Sequence, residues 1–118
     1  METFCKIRDI YRAVISFENE LEKKYNISLN EGMLLCCLKQ NEGMASTIIA
    51  ESLCLTCSNA SKLIGSVEKK GWIKRHLGED DKRKMFFTIT STGIKKLEEV
   101  KSTDIKMEQV LKDAINQS

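Results

Sequence analysis

Ser58, Asn59, Ser61 and Lys62 are short or flexible polar side chains crowded into one stretch, with Ala60, Leu63, Ile64 and Val67 interleaved. On a helix this order places polar groups on one side and apolar groups on the other. A polar face of that kind suits base reading in the major groove of a DNA duplex. An Asn amide can bond adenine bidentately, and a Lys suits guanine or phosphate. The helix N-terminus adds backbone N–H groups that can hold a phosphate. Gly65 and Ser66 keep the next turn small, which permits close approach. Further along, Asp81-Lys82-Arg83-Lys84 forms a charged cluster. Arg83 suits entry into the minor groove, where narrow A·T-rich stretches concentrate negative potential. Asp81 can pair with Arg83 and orient it, while Lys82 and Lys84 supply phosphate contacts. Glu79 and Asp80 bring the loop from Glu79 to Lys84 to zero net charge, so attraction alone does not explain it. Lys74 and Arg75 extend the basic surface between the two clusters. Either cluster alone is ordinary solvated surface. Together they favour a grip on two grooves of one duplex.

The elements that must position these residues follow from caps and breakers. Thr56 can cap a helix that runs to Lys69-Lys70 and stops at Gly71. Trp72–Leu77 and Met85–Thr90 read as strands of a hairpin, joined through Gly78–Lys84. Upstream, Ser46 is placed to cap a short helix with apolar Ile48, Ile49, Ala50 and Leu53, and Cys54-Leu55-Thr56 is the tight turn of a helix-turn-helix. Ser28-Leu29-Asn30-Glu31 has capping-box form and opens a helix through Met33, Leu34, Leu35 and Leu38. Before it, Phe4, Ile7, Ile10, Tyr11, Val14, Phe17 and Leu21 recur at helical spacing as far as about Lys24. After the hairpin, Thr90 caps a region with apolar Ile94, Leu97, Val100, Met107, Val110, Leu111 and Ile115. Ser102-Thr103-Asp104 interrupts it, which leaves one kinked helix or two helices. The expected fold class is mainly α with a small β-hairpin: a winged helix-turn-helix with N- and C-terminal dimerisation helices. Residues 1–118 form one domain in this reading, with 28–90 as the DNA-binding region and 1–25 and 91–118 as the dimerisation helices.

Order and spacing resemble the MarR family of winged helix-turn-helix transcription regulators along nearly the whole chain. Asp81-Lys82-Arg83 fits the family's wing motif Asp-x-Arg, the most specific match. Ile89-Thr90-Ser91-Thr92-Gly93 fits Leu-Thr-x-x-Gly, and Ile49-Ala50-Glu51-Ser52-Leu53 fits Leu-Ala-x-x-Leu. Leu63-Ile64 through Val67-Glu68-Lys69-Lys70-Gly71 fits the end of the recognition helix. The resemblance implies a homodimer on a palindromic operator, acting as a repressor. It also implies a small-molecule effector, often phenolic, held between the dimerisation and DNA-binding regions, and the Asp81–Arg83 pairing. Cys54 departs from the pattern, because relatives often carry glycine in that turn. The short C-terminal region is a second departure, and it bears on the dimer.

Bulk properties bound the alternatives. The 118 residues, 42% of them hydrophobic, suffice for one modest core. The formal net charge of +2 is unevenly spread: residues 1–56 carry −2, residues 57–90 carry +4, and residues 91–118 are neutral. The positive charge thus lies on the segment that would face phosphates. No apolar run is long enough for a membrane span and no signal peptide is apparent, so a cytoplasmic protein without a membrane partner is expected. Five cysteines without framework spacing favour reduced thiols, read here as small apolar packing residues. Cys54-Leu55-Thr56-Cys57 is a C-x-x-C, but adjacent Cys36-Cys37 and the single His76 do not complete a zinc site. No metal or other cofactor is therefore expected. Cys54 and Cys57, with Cys5 on the first helix, remain candidate redox residues. Cys57 would stand at a helix N-terminus, where the dipole favours a thiolate. Cys5 lies in a region where some peroxide-sensing relatives carry a reactive cysteine. There is no nucleophile motif, phosphate-binding glycine loop or paired carboxylate, so no enzyme is expected. Two rivals to the DNA reading remain: a winged helix used for protein–protein contact, and a thiol-based redox-responsive protein.

Overall fold

The computed structural model describes residues 2–100 and 105–116. Along the chain run α1 (Glu2–Tyr25), α2 (Leu29–Gln40), α3 (Ser46–Ser52), α4 (Cys57–Lys69), β1 (Ile73–Leu77), β2 (Met85–Ile89), α5 (Ser91–Glu99) and α6 (Gln109–Asn116). They fall into two compact units, residues 30–100 and residues 1–29 with 101–118.

The first unit holds α2 to α5. Its core is built from Leu34, Leu35 and Leu38 of α2, Ile49 and Ala50 of α3, Leu53, Ala60, Ile64 and Val67 of α4, and Ile73 and Phe87 of the hairpin, all buried. The periodicity that placed these residues on inward faces is the reason the helices form and pack. Ile48, apolar and on the same short helix as Ile49, is 48% exposed. In a two-turn helix the buried face accommodates Ile49, Ala50 and Leu53 but not their neighbour. β1 and β2 pair antiparallel from Ile73↔Ile89 to Leu77↔Met85. Met44 adds an isolated bridge to Phe87, with both backbone bonds made (3.1 and 2.9 Å), so the hairpin gains a third short edge. A one-residue pairing leaves no pattern in sequence.

Helix ends follow local chemistry. Thr56 and Thr90 are the N-caps of α4 and α5, accepting from the Asn59 and Gly93 N–H groups at 3.1 Å each. Ser46 is not a cap: Ala45 holds that position without a side-chain bond, and Ser46 is already helical. At the other ends, α3 and α4 close in the same way. The residue after each C-cap lies in the left-handed region, Cys54 at φ 57° and Gly71 at φ 78°. Cys54 N–H donates to Glu51 and Leu55 N–H to Ala50, while Gly71 N–H donates to Glu68 and Trp72 N–H to Val67. These paired bonds satisfy carbonyls that would otherwise be left open. Glycine reaches such a φ freely, whereas a Cβ at Cys54 costs about 1 kcal/mol. The departure at Cys54 is thus accommodated by strain, not by a different turn.

In the second unit α6 packs on α1. Ala13, Leu21, Ile27 and Ile105 are buried. The first half of α1 is different: Phe4 (74%), Ile7 (57%) and Tyr11 (65%) are largely exposed, with Ile10 and Ile15 partly so. Among the described residues the C-terminal region forms two helices, since the chain turns extended at Val100 (ψ 109°) and α6 begins at Gln109. The Ser102-Thr103-Asp104 interruption lies outside the described residues.

Candidate nucleic-acid interface

α4 separates its faces as its sequence requires. Ala60, Ile64 and Val67 are buried, while Ser58, Asn59, Ser61, Lys62, Gly65 and Ser66 are exposed. A Cβ at Gly65 would meet nothing within 4 Å, so this turn opens onto clear space. Thr56 takes the Asn59 backbone N–H, and the Asn59 side chain stands on the exposed face.

The hairpin tip is a closed turn. Gly78 N–H donates to the Lys84 carbonyl (2.9 Å) and Lys84 N–H to the Asp81 carbonyl (3.0 Å). A Cβ at Gly78 would stand 2.8 Å from the Asp81 carbonyl oxygen, so the turn has no room for a side chain there. Asp81 Oδ1 accepts from the Arg83 backbone N–H (3.0 Å) and from Arg83 Nε (3.2 Å). The backbone bond first, then the guanidinium, holds the Asp81 carboxyl below its usual range. Arg83 nevertheless remains 92% exposed along its side chain. An arginine aimed by its neighbour and still open to solvent is suited to an external anion. Lys82 and Lys84 are exposed beside it, and Lys74 is exposed on β1.

Arg75 is exposed on β1, but its charge is paired with a neighbouring carboxylate. Its Nε and Nη2 donate to the two carboxylate oxygens of Glu68 at 2.6 and 2.7 Å. The guanidinium also lies over the Phe87 ring, 5.8 Å from its centroid. The bond from Arg75 lowers the Glu68 carboxyl, and Glu68 in turn raises Arg75. Sequence reading passed over Glu68, because the pair spans a helix end, a glycine and a strand, and no helical or strand spacing links such positions. His76 is a strand-surface residue, with Nε2 2.7 Å from Thr88 Oγ1.

At the base of the hairpin, Thr90 and Gly93 of Ile89-Thr90-Ser91-Thr92-Gly93 lie against Trp72. Thr90 N–H donates to the Trp72 carbonyl (2.9 Å), and the Thr90 hydroxyl donates to the Gly71 carbonyl (2.6 Å). Lys70 lies over the Trp72 ring and donates to Glu31, a buried carboxylate. That bond ties α2 to the end of α4.

The cysteines are all free, and Cys5, Cys36, Cys54 and Cys57 are exposed. The expectation that the thiols are small apolar packing residues is thus not met, and only Cys37 is partly covered. Burial first, then neighbouring Cys36, pushes the Cys37 thiol up. Cys54 and Cys57 flank the turn between α3 and α4, while Cys5 lies in the other unit. Among the described residues, no group of three or more His, Cys, Asp or Glu side chains could hold a metal ion. No helix among them is long and apolar enough to cross a membrane.

Among the described residues, six helices with a two-stranded hairpin after the second helix of a helix-turn-helix define a winged-helix protein. A model of the MarR family matches residues 27–85, half of the chain. The chain belongs to the MarR family, whose members are transcription regulators rather than enzymes. It is similar to YwoH of Bacillus subtilis, an uncharacterized HTH-type transcriptional regulator, at 26% identity over 90% of this chain and 77% of that protein. The structure of Staphylococcus aureus MepR in complex with DNA is similar with a TM-score of 0.76 and 22% identity, covering 100% of this chain and 85% of that one. The transcriptional regulator BldR of Sulfolobus solfataricus gives 0.74 and 24% identity, covering 98% and 78%. These two likenesses establish the fold.

Proposed function

We propose that this protein is a sequence-specific double-stranded DNA-binding transcription regulator, a repressor that acts as a cytoplasmic homodimer on a palindromic operator. One observation carries the reading: a single compact unit presents the polar face of α4 and the open Arg83 at the hairpin tip. Asn59 and Ser61, with Ser58 and Lys62, read base edges in the major groove, and Ser66 lies at the close approach beside them. Arg83, aimed by Asp81, enters the flanking minor groove. Lys82, Lys84 and Lys74 contact phosphates. Arg75, held by Glu68, contributes to this surface less directly. The MepR–DNA complex, similar in fold, supports this arrangement.

The dimer is supported by the apolar stripe of α1, where Phe4, Ile7 and Tyr11 lie open to water. A two-fold dimer gives two recognition helices and hence a two-fold operator. In this reading residues 1–118 form one functional domain, with 28–90 binding DNA and 1–25 and 91–118 forming the dimer. A small-molecule effector that changes operator affinity completes the scheme. A thiol-responsive version of the same regulator is favoured by one further observation: Cys54 and Cys57 are both exposed beside the recognition helix.

Selection of bound sequences from a random duplex pool tests the proposal. The expected result is an enriched palindrome with half-sites about one helical turn apart. Failure to enrich any sequence refutes it and favours a protein-interaction surface. Repeating the selection with oxidised protein, then with reductant restored, tests the thiol-responsive reading.

A further inference from the structure

The chain leaves α4 through Gly71 at φ 78° and enters β1 only two residues later, at Ile73. Backbone bonds from Gly71 and Trp72 to Glu68 and Val67 hold the link at the pivot, whereas a contact further along β1 acts on the hairpin's direction at a longer arm. Glu68 stands in the last turn of α4 and Arg75 in the middle of β1, on opposite sides of the link. Both carboxylate oxygens of Glu68 accept from two nitrogens of Arg75. A two-point bond of this type restrains rotation as well as distance. Buried Phe87, paired across the strands with Arg75, supports the guanidinium from below. We propose that Glu68 and Arg75 are positioning residues, a brace that fixes the hairpin's direction relative to the recognition helix.

The lever arm gives the brace its consequence. Arg83 lies beyond the end of β1, roughly 10–15 Å from Arg75 at strand rise. A swing of roughly 10° over that length moves the tip by about 2 Å, more than the spread of hydrogen-bond distances allows. With α4 seated in the major groove, the brace therefore decides whether Arg83 meets the minor groove. That consequence rests on the proposed DNA binding; the brace itself does not. A lysine cannot replace Arg75 here, since it keeps the charge but has no planar fork.

Two readouts on the full-length protein test the proposal. The first uses no DNA: amide residual dipolar couplings of α4 and of the hairpin, measured for the parent, Glu68→Gln, Arg75→Lys and Arg83→Ala. The brace predicts that hairpin couplings shrink relative to those of α4 in the first two variants and stay unchanged in Arg83→Ala. Unchanged couplings in both Glu68→Gln and Arg75→Lys overturn it. The second readout is affinity for the duplex recovered from the random pool, carried with A·T-rich or G·C-rich flanks. Glu68→Gln and Arg75→Lys should each reduce the preference for A·T-rich flanks by about two- to fivefold, the range of one partly exposed ion pair. If Glu68→Gln instead binds both duplexes more tightly with the flank preference intact, Arg75 is a phosphate contact that Glu68 restrains, and the brace is wrong. Arg83→Ala separates the two failures. If it keeps the flank preference, or if the pool enriches nothing, the minor-groove reading fails and the couplings alone decide the brace.

Discussion

Gly93→Ala should destabilise the protein although it replaces a glycine inside a helix. Alanine is favoured over glycine in a helix by about 1 kcal/mol, so an exposed site would gain stability. Gly93 is buried, and a Cβ built there would stand 2.2 Å from the Trp72 carbonyl oxygen and 2.8 Å from Ile89 Cγ1. Relief requires a backbone displacement of about 1 Å, because ordinary carbon–oxygen contact begins above 3 Å. The Trp72 carbonyl is held by the Thr90 N–H at 2.9 Å, and the Gly71 carbonyl by the Thr90 hydroxyl at 2.6 Å. Moving the carbonyl weakens at least one of these, at about 1 kcal/mol for a bond replaced by water and up to about 3 if it is not. Overpacking against Ile89 adds about 1–3 kcal/mol. Less the helix gain, the net loss is about 1–5 kcal/mol. Urea unfolding followed by circular dichroism should show a midpoint lowered by about 1–3 M with little change in slope. Because Trp72 leads into β1, operator binding should weaken as well. An unchanged or raised midpoint would refute the reasoning, and would mean the hairpin base yields without cost.

Arg83→Ala should leave thermal stability within about 0.5 kcal/mol of the parent, its side chain being exposed, yet weaken binding most on operators with A·T-rich flanks. The same change should raise the Asp81 titration midpoint in NMR. A carboxyl held low in the folded protein contributes stability above the usual carboxylate range and loses it as pH falls through its lowered value, so that acid sensitivity should diminish in the variant. Asn59→Ala should cost about 1–3 kcal/mol on the selected site and far less on random duplex, whereas Lys84→Ala should weaken both and flatten the salt slope by up to about one unit; equal losses for Asn59→Ala would reassign it as a backbone contact. Sedimentation at micromolar concentration should give a dimer, shifted toward monomer by Ile7→Glu; a parent that sediments only as monomer removes the two-half-site scheme. Titration with an aromatic disulfide reagent should modify Cys5, Cys36, Cys54 and Cys57 first and Cys37 last, since Cys37 is partly covered and its thiol is pushed up; a fast-reacting Cys37 would contradict that ordering.

What the sequence determined by itself was local. Thr56 and Thr90 could be read as caps because a hydroxyl three residues before an N–H finds it in any first helical turn. The two faces of α4 were legible from spacing alone, and the Asp81–Arg83 pair needs only one tight turn. Ser46 is a first-turn residue and not a cap: hydroxyl caps and first-turn serines look alike in sequence one position apart, and only the backbone at Ala45 distinguishes them. Ile48 shares the apolar composition of α3, but which side of a two-turn helix is covered depends on its neighbours. The bridge from Met44 to Phe87 is a pairing across distant segments, invisible to any local rule. The role of Gly93 depends on where the Trp72 carbonyl arrives in space, a fact of packing. Arg75 is the most instructive case. Its charge in the sequence pointed to phosphate, whereas the fold brought the Glu68 carboxylate within 2.6 Å and paired that charge at the protein surface. Periodicity records which groups share a face, because helix and strand geometry is fixed. Which distant groups meet depends on how the faces close on one another, and that is decided only when the core packs.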